Sequence, residues 1–153
     1  MEYDLTQENL DWLKVNQPGL TFDQSSKTLS GVFKFSCQYE NKEVITDSYD
    51  VKISFKSTEP LPLVYETSGK IRRTAMLQGK QLADLHQYDD NHLCLIRWDK
   101  MKDWYKDGFD FETFMGHLET HFYWLSYVYR YNTEPWPADP HGWPTLEMQL
   151  KYE

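Results

Sequence analysis

Cysteine is scarce in this chain. Only Cys37 and Cys94 occur among its 153 residues, too few for a disulfide framework. Both are expected to be reduced thiols in a cytoplasmic protein. Basic side chains are also in deficit: 16 Lys and Arg stand against 24 Asp and Glu, a formal charge of −8. Phosphate binding needs a concentrated cationic surface, so nucleic acid is not expected as the main partner. The one basic cluster, GKIRR at residues 69–73, is too short to reverse that and reads as a solvated loop. No apolar run approaches the ~18–20 residues that cross a bilayer, and the opening MEYDLTQENL is acidic and polar, unlike a signal peptide. No membrane role is expected. Missing too are the G-x-x-x-x-G-K-[ST] loop and the dinucleotide-binding glycine fingerprint, so no ATP site or cofactor is expected.

Aromatics, in contrast, are plentiful. Six Trp, eleven Tyr and eight Phe accompany a mean hydropathy of −0.74, which suits a well-packed domain with amphipathic rings near its surface. The length is enough to bury roughly two-thirds of the unfolded surface without metal or disulfide support. No repeat or linker divides the sequence, so residues 1–153 are expected to form a single domain.

Residues 4–15 predict a helix, with Asp4 as the cap, Gln7 completing a capping box, and Leu10, Trp12 and Leu13 as its apolar side. QPG at 17–19 stops it. Two strands follow. Phe33, Phe35, Cys37 and Tyr39 alternate with Lys34, Ser36 and Gln38, and Tyr49, Val51, Ile53 and Phe55 alternate with Asp50, Lys52, Ser54 and Lys56. This suits an antiparallel sheet covered on one face. Pro60 and Pro62 force extended backbone into a short edge strand at 63–66. From 70 to 90 no period persists, which predicts some twenty residues of irregular, functional loop. The segment 111–131 has apolar positions at Phe111, Phe114, Met115, Leu118, Phe122, Leu125 and Val128/Tyr129, the pattern of an amphipathic helix capped by Asp110. The tail EPWPADPHGWP is expected to pack as an ordered extended segment. The order is that of an α+β domain: N-terminal helix, four-stranded antiparallel meander, long loop, C-terminal helices.

Three groups of residues invite a chemical reading. Cys94 lies in HQYDDNHLCL. A thiol accepts an acyl group as thiolate, in partial exposure and with donors aimed at the developing oxyanion. His86, Tyr88, Asn91 and His92 are candidate donors, while Asp89 and Asp90 are placed to deprotonate an amine or to repel the thiolate. The same residues also suit an inert core cysteine at a strand end. His117 and His121 share a helical face at i, i+4, as a zinc site requires, but HLETH is not H-E-x-x-H. A third ligand would have to come from His141, Cys94 or an acid, so two ordinary helix-face histidines are expected. A Cys–His–Asp hydrolase using Cys94 with His141 or His86 lacks the local signatures of that class.

EPLPLVYETSGKI followed by HQYDDNHLCL, in this element order, resembles the ubiquitin-conjugating enzyme superfamily, in its divergent bacterial branch. His86, eight positions before Cys94, matches the spacing of a histidine-headed active-site loop, and the helix near Phe111 falls where the first helix after the cysteine belongs. EPWPADPHGWPTLE is similar to the ending of bacterial members in CBASS anti-phage operons, which accompany a cGAS-like nucleotidyltransferase. The resemblance spans roughly residues 4–147. It departs at the His-Pro-Asn triplet, which here reads His86, Gln87, Tyr88.

The resemblance implies a UBC-like fold and a Cys94 nucleophile. Cys94 would hold a partner's C terminus as a thioester and pass it to an amine. It also implies that His86 supports the loop, and leaves Tyr88 or Asn91 as oxyanion donor in place of the missing asparagine. The carried partner would be the nucleotidyltransferase's C terminus, either activated by a separate activating enzyme or captured as an acyl group already activated elsewhere. A non-catalytic scaffold of the same fold and a thiol hydrolase that removes conjugates are the alternatives.

Overall fold

The structure, a computed structural model, describes residues 2–95 and 102–137. The chain is α+β, with an N-terminal helix, a four-stranded antiparallel sheet and a helical C-terminal part. No helix among the described residues is long and apolar enough to cross a membrane.

Helix α1 (Gln7–Asn16) is shorter at its start than expected, because Thr6 and not Asp4 caps it. The Thr6 hydroxyl accepts from the Asn9 N–H at 3.1 Å, and the Asn9 side chain answers from the Thr6 N–H at 3.0 Å, so the capping-box partner is Asn9 in place of Gln7. Asp4 instead pairs with Lys27, next to the first β-hairpin. Gln17 ends α1 and then acts like a one-residue strand: its side-chain amide donates to the Lys34 carbonyl at 2.7 Å and accepts from the Lys34 N–H at 3.0 Å.

Strands β1 (Leu20–Asp23), β2 (Thr28–Cys37), β3 (Ile45–Ser54) and β4 (Leu63–Glu66) follow in simple meander order. Thr28 pairs with Ser54 and Cys37 with Ile45, so the two alternating runs put their apolar sets on one face. Leu29, Phe33, Phe35, Tyr49, Val51 and Ile53 are buried there, while Lys34, Ser36, Asp50 and Lys52 are exposed. Gly31 is obligatory: φ is +133°, and a Cβ would sit 2.1 Å from the Gly19 carbonyl oxygen.

Helix α3 (Phe111–Tyr131) lies across this apolar face and begins, as expected, at Asp110, whose carboxylate accepts from the Thr113 N–H at 2.9 Å. Phe122 stacks on Tyr49 with ring centroids 4.3 Å apart, and Phe114 meets Phe55 edge-on at 6.2 Å. Tyr129, at the end of the expected stripe, is exposed.

The expectation of an irregular segment over 70–90 is wrong. It contains helix α2 (Lys70–Gln78) and a 3₁₀ turn (Leu82–Leu85). GKIRR is therefore the start of a helix and not a loop. Two features hide α2 in the sequence. Its N-cap is Gly69 in the left-handed region, with no side-chain cap, and its first N–H is met by Glu66 Oε1 at 2.8 Å, from the end of β4. Its buried face is Ile71, Thr74 and Ala75, while the strongly apolar Met76 and Leu77 point outward.

Candidate functional site

What remains of the loop is short and well tied. His86 ends the 3₁₀ turn with φ +57°, and the chain then folds into a narrow antiparallel tongue in which Gln87 faces Leu93. The Cys94 N–H donates to the His86 carbonyl at 2.8 Å, and the Tyr88 N–H to the His92 carbonyl at 2.9 Å. Asn91, with φ +76°, supplies the left-handed residue at the tip, where its N–H donates to the Tyr88 carbonyl at 3.0 Å. The returning arm docks on β4: His92 bridges Tyr65, and the Leu93 N–H donates to the Val64 carbonyl at 2.8 Å. The outer edge of β4 is thereby covered, which removes an open strand edge and fixes Cys94 relative to the sheet.

Cys94 is half-buried. Tyr88 lies beside Cys94, and burial together with that sulfur and the charge of Asp90 pushes the Tyr88 pKa up to about 12. The phenol therefore keeps its proton at neutral pH and can donate. Its ring stacks on His92 at 4.2 Å, and His92 Nδ1 lies 2.6 Å from Asp90 Oδ1. Hydrogen bonds from the His92 backbone and ring hold the Asp90 carboxyl below its usual range. Tyr88, Asp90, His92 and Cys94 thus lie together on the tongue.

Asn91 is placed differently. Its side-chain oxygen accepts from Arg72 Nε at 2.6 Å and from Gln87 Nε2 at 3.2 Å. Arg72 also donates to the Asp89 carbonyl at 2.6 Å, so one guanidinium on α2 holds both sides of the tongue tip. The sequence reading missed Arg72, which it placed in a solvated loop; nothing in local sequence reports a partner 19 residues away.

The His86 ring is buried, 5.0 Å from Trp124 and 6.0 Å from His121 of α3. His121 departs from the expected helix-face histidine: it is 7% exposed, and its Nε2 has no hydrogen-bond partner among the described residues. Burial, with the nearby His86, lowers its pKa to about 3. His117, half-buried, hydrogen-bonds through Nδ1 to the Tyr105 hydroxyl at 2.8 Å. Among the described residues no group of three or more His, Cys, Asp or Glu is placed to hold a metal ion. His141 and the tail from Ala138 onward lie outside the described residues.

Cys37 lies in a different environment from Cys94. It sits on the apolar face, as the alternation predicts, and burial and the neighbouring Glu119 push its pKa up to about 11. A shallow groove of about 590 Å³ lies on the sheet between Lys34, Ser36, Thr46 and Asp47, and no tongue residue lines it. No protein-family model matches this chain, and no curated protein or solved structure matches it either.

Proposed function

We propose that the protein is a cysteine acyl carrier of the ubiquitin-conjugating type. The observation that carries this reading is the half-exposed Cys94 thiol beside Tyr88, on a tongue fastened to β4 and α2. In the first step the Cys94 thiol gives up its proton to solvent and the thiolate attacks the activated C-terminal carbonyl of a carried protein. The leaving group departs and a thioester remains. In the second, an amine attacks the thioester carbonyl, a proton leaves the nitrogen, and the thiolate is expelled as the amide forms.

Each tongue residue has a role in this scheme. Tyr88 is assigned as the oxyanion donor because it lies beside the sulfur, whereas Arg72 and Gln87 anchor the Asn91 side chain at the tongue tip. His86 braces the loop through its carbonyl bond to the Cys94 N–H. His92, oriented by Asp90, is placed to take the amine proton at Nε2. The carried protein is the C terminus of a cGAS-like nucleotidyltransferase encoded beside this chain, activated by a separate enzyme, in cytoplasmic anti-phage defence.

The test is co-expression with the proteins encoded alongside, followed by non-reducing gels and intact mass. A partner adduct on Cys94 that thiol reagents cleave, and that becomes resistant in Cys94→Ser, is the expected result. Adducts that survive unchanged in Cys94→Ala refute the reading. A second reading, thiol hydrolysis of such conjugates, is favoured by the Asp90–His92 contact two residues before Cys94. It predicts cleavage of a pre-made conjugate that is lost in both Cys94→Ala and His92→Gln.

A further inference from the structure

We propose that the outward arc of α2 is a docking surface for an acidic partner-protein segment that carries a small apolar patch. The stretch from Gly69 to Lys80 has four basic residues, Lys70, Arg72, Arg73 and Lys80, and no acidic one, within a chain of net charge −8. Lys70 is neutralised by Asp47 at 2.8 Å. The other three give hydrogen bonds to neutral oxygens. Arg72 bonds the Asn91 side chain and the Asp89 carbonyl, Arg73 the Ser68 carbonyl, and Lys80 the side chains of Gln78 and Asn132. Their hydrogen bonding is partly met while their charge has no carboxylate against it among these contacts.

Met76 and Leu77 lie on the same arc, 82% and 77% exposed. Helical spacing stacks Met76 on Arg72 and Leu77 on Arg73, opposite the buried Ile71, Thr74 and Ala75. Single exposed apolar residues are ordinary. Two adjacent ones beside uncompensated arginines match an amphipathic helix whose carboxylates meet the guanidiniums and whose apolar side chains cover Met76 and Leu77. A nucleic acid or an anionic membrane extends past the arc and would face the rest of a chain of net charge −8, whereas a short acidic helix meets the arc alone. Arg72 joins this arc to the tip of the tongue at Asp89 and Asn91, so an occupant would lie against that tip. The surface stands on α2 alone and holds whether or not Cys94 carries an acyl group.

The experiment uses the full chain and a synthetic helical peptide with glutamates flanking two leucines. Lysine-for-glutamate and serine-for-leucine peptides are the controls. Binding is followed by fluorescence anisotropy at low and high salt, and the site is mapped by backbone NMR shifts. The expected result is saturable, salt-sensitive binding of the glutamate–leucine peptide alone, with shifts centred on residues 72–77. Leu77→Ser and Arg73→Glu, both at exposed positions, should each weaken it by about tenfold or more. Shifts centred elsewhere, or variants that bind as the parent does, overturn the proposal. So does a dimer in sedimentation equilibrium that Leu77→Ser abolishes, which assigns the arc to a second copy of the chain. Binding to phosphatidylserine vesicles that Arg73→Glu abolishes overturns it in favour of a lipid surface.

Discussion

His121→Leu tests whether the support beneath the tongue is a neutral histidine. In the folded protein the imidazole stays unprotonated down to about pH 3, because it is buried on α3 with His86 beside it and its Nε2 is unpartnered among the described residues. In the unfolded chain it takes a proton near 6.5. A base whose folded pKa is depressed leaves stability whole above its unfolded value, and that stability is lost as the pH falls below it. Between pH 6.5 and 3 the slope approaches about 1.4 kcal/mol per pH unit, so moving from pH 7 to pH 5 removes about 2 kcal/mol. Leucine has no proton to gain and no orphan nitrogen to bury. Urea unfolding of both proteins at pH 7, 6 and 5 gives the double difference, in which groups remote from residue 121 cancel. The variant should gain about 2 kcal/mol on the parent between pH 7 and 5. Parallel pH profiles would refute the account of a buried neutral imidazole.

Other consequences can be checked separately. At pH 8 a thiol with a pKa of about 11 is only ~0.1% thiolate, so iodoacetamide should label Cys94 well before Cys37 in peptide mass spectra; equal labelling contradicts the contrast between the two sites. Tyr88→Phe removes the hydroxyl assigned as oxyanion donor and should slow transfer from the Cys94 adduct by about 10²-fold. Unchanged transfer would show that another group stabilises the oxyanion. Ser126, fully buried, links the Tyr49 hydroxyl at 2.8 Å to Asp47 at 2.6 Å. Ser126→Ala should therefore cost about 1–3 kcal/mol in urea unfolding at neutral pH. Asp47 is a carboxyl whose pKa is lowered because bonds from Lys70, Ser126 and Ser48 outweigh its burial. The stability it lends is present above its ordinary value of 3.8 and fades as the pH falls through the folded one.

Local sequence determined those parts of the protein whose physics is local. Period-two alternation set β2 and β3 and put Cys37 on the core face, because successive strand side chains point to opposite sides. The three-and-four spacing from Phe111, with Asp110 at its head, set α3, because a helix brings those positions onto one stripe. Pro60 and Pro62 marked the approach to β4. Tertiary structure decided the rest. Helix α2 takes its N-terminal support from Glu66 on β4 and buries only Ile71, Thr74 and Ala75, so neither a cap nor an apolar stripe announces it. The tongue around Cys94 was legible as a group of polar residues near a thiol, but not as an arrangement. Arg72 reaching Asn91, Leu93 bonded to Val64, and His86 against His121 join segments separated by 19, 29 and 35 positions. Such contacts follow from how the sheet, α2 and α3 pack, and residue order along the chain does not encode them locally.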